Sequence, residues 1–185
     1  ELIRVLGAIS GALRRGNDQR LDRAIAKLAS LDKMALRILN DEASTFVMLL
    51  HRVAIKYKES NIYISIRSLC TNIQERDQRL EAFARTQFSR KRGILWASQR
   101  SGIERLCEES SFALCTPTGS GKTLVANLAL IKELILRQNG VAAALALYLV
   151  PSRALAGEVE RKLTVELGQD LVVTGLYGGT DWGVT

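Results

Sequence analysis

A glycine-rich turn set between an apolar run and a helical pattern constrains this chain more than any other feature. Phe112, Ala113, Leu114 and Cys115 form the run, and Thr116-Pro117-Thr118-Gly119-Ser120-Gly121-Lys122-Thr123 follows directly. Strand, turn and helix in that order build an anion site. Small residues let the backbone curl so that successive N–H groups converge on one anion. The helix N-terminus adds its partial positive charge. Lys122 is placed to reach the β- and γ-phosphates of a nucleotide, and the Thr123 hydroxyl to ligate Mg²⁺. Thr116 departs from the general pattern, which has Gly or Ala six positions before the lysine.

The residues around this turn alternate in kind. A helix is expected at 98–108, then a strand at 112–116 and the turn. The next helix is expected at 122–138, with Leu124, Val125, Leu128, Ile131, Leu134 and Ile135 inward and Asn139-Gly140 as its stop. The continuous apolar run 144–150, ending before Pro151, reads as a strand buried on both faces. A helix over 154–167, stopped by Gly168, and a strand over 171–176 complete a β-α-β-α-β order. That order predicts a parallel sheet with crossover helices.

Before residue 90 nearly everything reads as helix. Leu21, Ile25, Leu28 and Ala29 share a face, as do Met34, Ala35 and Ile38, with Asn17 or Asp18 as the cap. After a second cap at Asn40-Asp41, Phe46, Val47, Leu50, Val53, Ala54 and Tyr57 recur at helical spacing. Residues 62–66 alternate as a short strand does. Ile62, Ile66, Leu69, Cys70 and Ile73 also keep helical spacing, and the pattern runs on through Leu80, Phe83 and Ala84, which favours helix. The glycines of this half, Gly7, Gly11 and Gly16, all come early, as suits helices with short connections. Ser89-Arg90-Lys91-Arg92-Gly93 is a basic break, read as a solvated linker in preference to a nucleic-acid contact. The expected domains are therefore a helical one over 1–90 and an α/β one over 94–185.

Composition narrows the setting. At 47% hydrophobic residues the 185-residue chain has enough apolar surface for a core. It has no apolar run of about 18 residues, so no membrane span is expected. Cys70, Cys107 and Cys115 are odd in number and far apart, which argues for reduced thiols in a cytoplasmic setting rather than a disulfide framework or zinc site. The lone His51 lies in a helical pattern without companion ligands. A net charge of +7 favours polyanionic partners through phosphate contacts, although charge alone does not assign one. The chain opens on Glu1 with no signal-peptide pattern and reads as an internal piece of something longer.

Four segments together resemble one family. Pro117-Thr118-Gly119-Ser120-Gly121-Lys122-Thr123 is similar to motif I of superfamily 2 helicases. Gln99, in Trp96-Ala97-Ser98-Gln99 and 23 residues before Lys122, resembles the Q motif, whose glutamine amide reads the adenine edge. Pro151-Ser152-Arg153-Ala154-Leu155-Ala156 resembles motif Ia, which holds the phosphates of one nucleic-acid strand, a task suited to helix N-terminal N–H groups, a hydroxyl and an arginine. Gly178-Gly179 follows the last expected strand, where this family often carries a Gly-Gly element near the nucleic-acid backbone. The resemblance covers about residues 94–185 and does not reach the helical half. It implies an incomplete RecA-like phosphate-loop sheet with flanking helices after an all-α domain. It further implies ATP and Mg²⁺ as cofactors, with Thr118, Gly119, Ser120, Gly121, Lys122 and Thr123 around the phosphates and Gln99 on adenine. Nucleic acid, DNA or RNA, would pass Pro151, Ser152, Arg153, Gly178 and Gly179.

One family element has no counterpart. No apolar run ending in Asp-Glu follows Lys122, and neither Asp170 nor Asp181 has the preceding run and the paired Glu. In the family that Asp orients Mg²⁺ and the Glu positions the attacking water. The expectation is an N-terminal piece of an ATP-dependent helicase or translocase that holds nucleotide without turning it over. Two other readings stand beside it. The helical half could dock a partner protein, such as a nuclease in a bacterial defence system, with the helicase part as its motor. Alternatively the loop belongs to another phosphate-loop enzyme, such as a small-molecule kinase.

Overall fold

The computed structural model describes residues 1–37, 40–69, 74–108, 111–117, 119–136 and 145–176. The chain divides into two compact units, Glu1–Val125 and Ala126–Thr185. The first unit begins with α1 (Leu2–Arg15), α2 (Asp18–Arg37) and α3 (Asp41–Glu59). The short α4 (Ile62–Arg67), then α5 (Gln74–Ser89) and α6 (Ala97–Glu108) follow. Next come α7 (Lys122–Leu130), prolonged by a π-helical turn at Ile131–Leu136, and α8 (Arg153–Leu167).

Local signals explain where these helices start. The Asn17 side chain accepts the Arg20 N–H at 2.9 Å and opens α2. Asn40 does the same for α3 through Ala43 at 2.9 Å. Residues 62–67 are helical, the reading that the longer apolar spacing favoured. The core of the first three helices joins Val5, Ile9, Leu13, Leu21, Ile25 and Leu28 with Val47 and Ala54 of α3. Leu21 and Leu28 are almost fully enclosed, so truncating either to Ala costs about 2–5 kcal/mol. The buried stripe is narrower than the apolar spacing of α3, since Phe46, Val53 and Tyr57 are exposed.

The link from α1 to α2 is held by a junction further along the chain. Gly16, just past α1, has φ 62°, and its N–H and that of Asn17 bond back to the carbonyls of Leu13 and Ala12 at 3.4 and 3.1 Å. A Cβ on Gly16 would lie 2.6 Å from the Tyr63 ring. Tyr63 donates its hydroxyl to the Arg14 carbonyl at 3.2 Å and stacks on Phe88 with ring centres 5.7 Å apart. Burial pushes the Tyr63 phenol above its ordinary pKa, so the fold favours the neutral donor. Arg67 adds a bond to the Gly16 carbonyl at 2.8 Å and an ion pair with Asp18.

Asn61 is the centre of this junction. It is buried, donates to the Leu13 carbonyl at 3.1 Å and accepts the Tyr63 N–H at 3.0 Å. Its backbone forms a single antiparallel bridge with Ile94. Bonds from Ile62 N–H to the Gly93 carbonyl (3.0 Å) and from Leu95 N–H to the Ser60 carbonyl (2.7 Å) flank the bridge. Residues 93–95 are thereby anchored to the α3–α4 connection, and α6 starts two residues later.

The parallel sheet expected over 94–185 is corrected by the structure: the described residues contain no β-strand. Residues 111–117 and 172–176 form neither helix nor strand, and they alternate between half-buried and exposed. No ladder pairs them. The run 145–150 is not buried on both faces, because Leu145 and Leu149 are 85% and 86% exposed. Parallel strands are stable when both faces are covered, and these segments are covered on one side at most. In the second unit the Gly175 N–H bonds to the Glu160 carboxylate of α8 at 2.9 Å. Helix 122–138 is found as α7 and its π-helical turn, with Leu124, Val125, Leu128, Ile131 and Ile135 buried. Its expected stop at Asn139-Gly140 lies outside the described residues. No helix among the described residues is long and apolar enough to cross a membrane.

The close fit at Gly16 yields a stability test. Gly16→Ala forces a left-handed residue with a side chain against the Tyr63 ring, and urea unfolding should show a loss of about 2–3 kcal/mol. An unchanged midpoint would remove this turn from the list of anchors.

Candidate nucleotide and nucleic-acid sites

Segment 111–117 leads into the turn and α7. Gly119 and Gly121 carry φ of 83° and 78°, values that residues with a side chain seldom adopt. They reverse the chain so that Lys122 and Thr123 open α7. The Ser120 N–H bonds to the Pro117 carbonyl at 3.3 Å, and the Thr116 and Ser120 hydroxyls share a hydrogen bond. The Lys122 ammonium donates to the Thr116 carbonyl at 2.6 Å and the Pro117 carbonyl at 2.9 Å. One cation is thus held over the turn, beside the N–H groups of a helix start. Lys122 and Thr123 are exposed. This donor set of ammonium, hydroxyl and helix N-terminus fits a polyphosphate with Mg²⁺. Thr118 lies outside the described residues.

Gln99 is brought to the same turn by α6. Its amide oxygen accepts the Trp96 N–H at 2.8 Å, the returning half of a capping box with Trp96 as the cap. Its amide nitrogen donates to the Gly121 carbonyl at 3.3 Å. A side chain on Gly121 would collide with this amide, so glycine is needed there for contact as well as for φ. The side chain of Gln99 is 8% exposed, whereas Trp96 beside it is 70% exposed. Beneath, a Cβ on Gly102 would lie 2.9 Å from Val125, so α6 and the start of α7 approach closely through glycine. Sequence reading placed Gln99 near a nucleotide. It missed the amide's bond to the turn, although the three-residue spacing of Trp96 and Gln99 carries the capping signal.

The remaining expected site residues belong to the second unit. Ser152, with φ −145° and ψ 154°, caps α8 by accepting the Leu155 N–H at 3.3 Å. Its hydroxyl therefore serves the helix start. Arg153 is the first residue of α8, and Pro151 precedes the cap. Segments 146–153 and 171–176, with α8, Leu130 and Leu134, line a cavity of about 450 Å³. Asn127, buried on α7, donates to Glu166 of α8. Gly178 and Gly179 lie outside the described residues. Cys107 and Cys115 are free thiols, and Cys70 is outside the described residues.

Comparison with known proteins matches residues 96–182 to the DEAD/DEAH box helicase family. The ATP-dependent helicase Lhr-Core of Methanocaldococcus jannaschii is 40% identical over 87 residues, 45% of this chain and 10% of that protein. Reverse gyrase 2 of Aeropyrum pernix is 34% identical over 102 residues, 55% of this chain and 7% of that protein. Hachiman protein HamB of Bacillus cereus is 29% identical over 155 residues, 80% of this chain and 13% of that protein. The matched part thus spans only about a tenth of the length of these relatives. No solved structure matches. The match begins at Trp96, the cap of α6, and takes in Gln99, the two-glycine turn and the start of α8. Residues 96–182 thus match the DEAD/DEAH box helicase family, and with the Lhr-Core and reverse gyrase relatives they support a superfamily 2 helicase-like domain there.

Proposed function

We propose that this chain is the nucleotide-holding part of an ATP-dependent nucleic-acid helicase or translocase. The observation that carries the reading is the turn at Gly119 and Gly121, which delivers Lys122 and Thr123 to the first turn of α7. Lys122 would hold the β- and γ-phosphates, the N–H groups of the helix start would cradle them, and Thr123 would hold Mg²⁺. Bound Mg²⁺ would supply charge neutralisation at the phosphates. Lys122 must exchange its bonds to the Thr116 and Pro117 carbonyls for phosphate oxygens, a trade of neutral acceptors for charged ones that favours the anion. Gln99, one bond from the turn, would read adenine with a donor and an acceptor. Pro151, Ser152, Arg153, Gly178 and Gly179 would track a strand by its backbone without reading sequence. The free thiols fit a reducing, cytoplasmic setting.

A second reading concerns the helical half. The HamB match covers 80% of the chain and so extends well beyond the helicase-like segment into residues 1–90. We propose that these helices dock a partner protein, with the helicase-like domain as the motor.

Four measurements test the first reading. Titration with a fluorescent ATP analogue should show binding that Lys122→Ala weakens about 30- to 150-fold, the loss of one charge-assisted bond set. A phosphate-release assay on the 185 residues should stay at background, and Lys122-dependent release would contradict the claim that this piece only holds nucleotide. Gln99→Glu keeps the acceptor that caps α6 and removes the donor. It also breaks the bond to the Gly121 carbonyl and should lower the melting temperature, so the ratio of ATP to GTP affinity is the readout: it should fall to about one, and a retained preference would exclude Gln99 from base reading. Arg153→Ala should weaken single-stranded oligonucleotides evenly across sequences and lower the salt slope by about 1. An unchanged slope would exclude a phosphate contact there.

A further inference from the structure

The helical unit holds a groove that the nucleotide chemistry does not use. Both α1 and α3 pack along α2 and scarcely meet each other, which leaves a cleft of about 460 Å³ between them. Leu6, Ile9 and Leu13 of α1 and Leu50 and Ala54 of α3 form its aliphatic walls. Val53 and Tyr57 stand at the rim, 46% and 48% exposed, and Phe88 and Ile94 line it as well.

The charged groups lining this groove are Arg14 and Lys91, both exposed and without a carboxylate partner among the described residues. Lys91 is placed there at a cost. It follows α5 as the left-handed residue of the cap, with φ 59°, its N–H on the Phe88 carbonyl at 3.0 Å and the Arg92 N–H on the Gln87 carbonyl at 2.8 Å. Glycine normally fills that position, as Gly16 does after α1. Lys91 is the one non-glycine residue with positive φ among the described residues. Backbone strain at a non-glycine residue points to a use for its side chain.

We infer that this groove binds an amphipathic helix of a partner protein, its apolar face between α1 and α3 and its acidic flank against Arg14 and Lys91. The mode is helix-in-groove recognition, with anchors at i, i+3 and i+7 in the cleft and charge setting orientation. Charge selects the occupant. A second copy of this chain would bring another +7 against the same cations. Nucleic acid could use Arg14, Lys91, Tyr57 and Phe88 but would leave the aliphatic walls of Leu6, Ile9, Leu13 and Leu50 uncovered, whereas an apolar helix face fills them. The proposal rests on the docking reading of the helical half and not on nucleotide chemistry, so Lys122→Ala leaves it untouched.

The test uses the full chain and two fluorescein-labelled synthetic helical peptides. Both carry Leu at i, i+3 and i+7; one has Glu on its flanks and the other Lys. Fluorescence anisotropy should show the acidic peptide binding at least about tenfold more tightly than the basic one, with the difference shrinking as salt rises. Arg14→Glu and Tyr57→Ser should each weaken the acidic peptide about tenfold, with unchanged circular dichroism. Lys91→Gly separates binding from folding. Relief of the left-handed strain should raise the melting temperature by about 2–4 °C while the acidic peptide binds less tightly. Equal affinity for the two peptides, no binding of either, or Lys91→Gly that leaves affinity unchanged would overturn the proposal. So would displacement of the peptide by oligo(dT), or a Tyr57-dependent dimer in sedimentation equilibrium.

Discussion

Much of the first unit depends on one buried amide. The Asn61 amide joins the end of α1 to the start of α4 by meeting the Leu13 carbonyl and the Tyr63 N–H, and its neighbours Ser60 and Ile62 bond to the segment before α6. A polar side chain is tolerated in such a place when its donors and acceptors are met, and it then specifies one arrangement more sharply than apolar packing does. Apolar contacts hold α1, α2 and α3 together but are indifferent to small slides. The bond from Asn61 to the Leu13 carbonyl and the ring of Tyr63 over Gly16 remove that freedom. The chain between Gly93 and Leu95 is pinned to the same place, and through it the cap of α6 is set.

A second amide repeats the logic nearer the chemistry. Gln99 spends its oxygen on the α6 cap and its nitrogen on the turn at Gly121. Gly121 is permissive in φ and lacks the Cβ that would collide with the amide, so two constraints fall on one residue. Lys122 lies over the carbonyls of Thr116 and Pro117, next to the helix start. The turn is therefore organised from both sides by side chains within reach of the same few backbone atoms.

The helices and their caps were legible because their causes are local. Asn17 and Asn40 bond to groups three residues away, and the spacing of Leu21, Ile25 and Leu28 repeats on one face without help from other elements. The turn was legible for the same reason, since Gly119, Gly121 and Lys122 act within a few residues. The sheet misled. Apolar runs such as 145–150 signal an extended backbone that lacks a reason to be helical. Pairing, however, is a property of two segments, and nothing in one run names its neighbour. At 111–117 and 172–176 the structure has neither helix nor strand.

Residue order alone was enough to specify a two-glycine turn at a helix start, a run of capped helices and the resemblance to helicases. These follow from bonds and periodicities a few residues long. Tertiary structure decided the rest. Phe46, Val53 and Tyr57 share helical spacing with Val47 and Ala54, yet only the latter pair is covered, because burial depends on where α2 lies. The cleft between α1 and α3, the union of Gln99 with Gly121 and the tie from Asn61 to Leu13 all join residues distant along the chain. Contacts of that kind carry no local spacing rule. They form only when the packed core leaves those atoms within a hydrogen bond of one another.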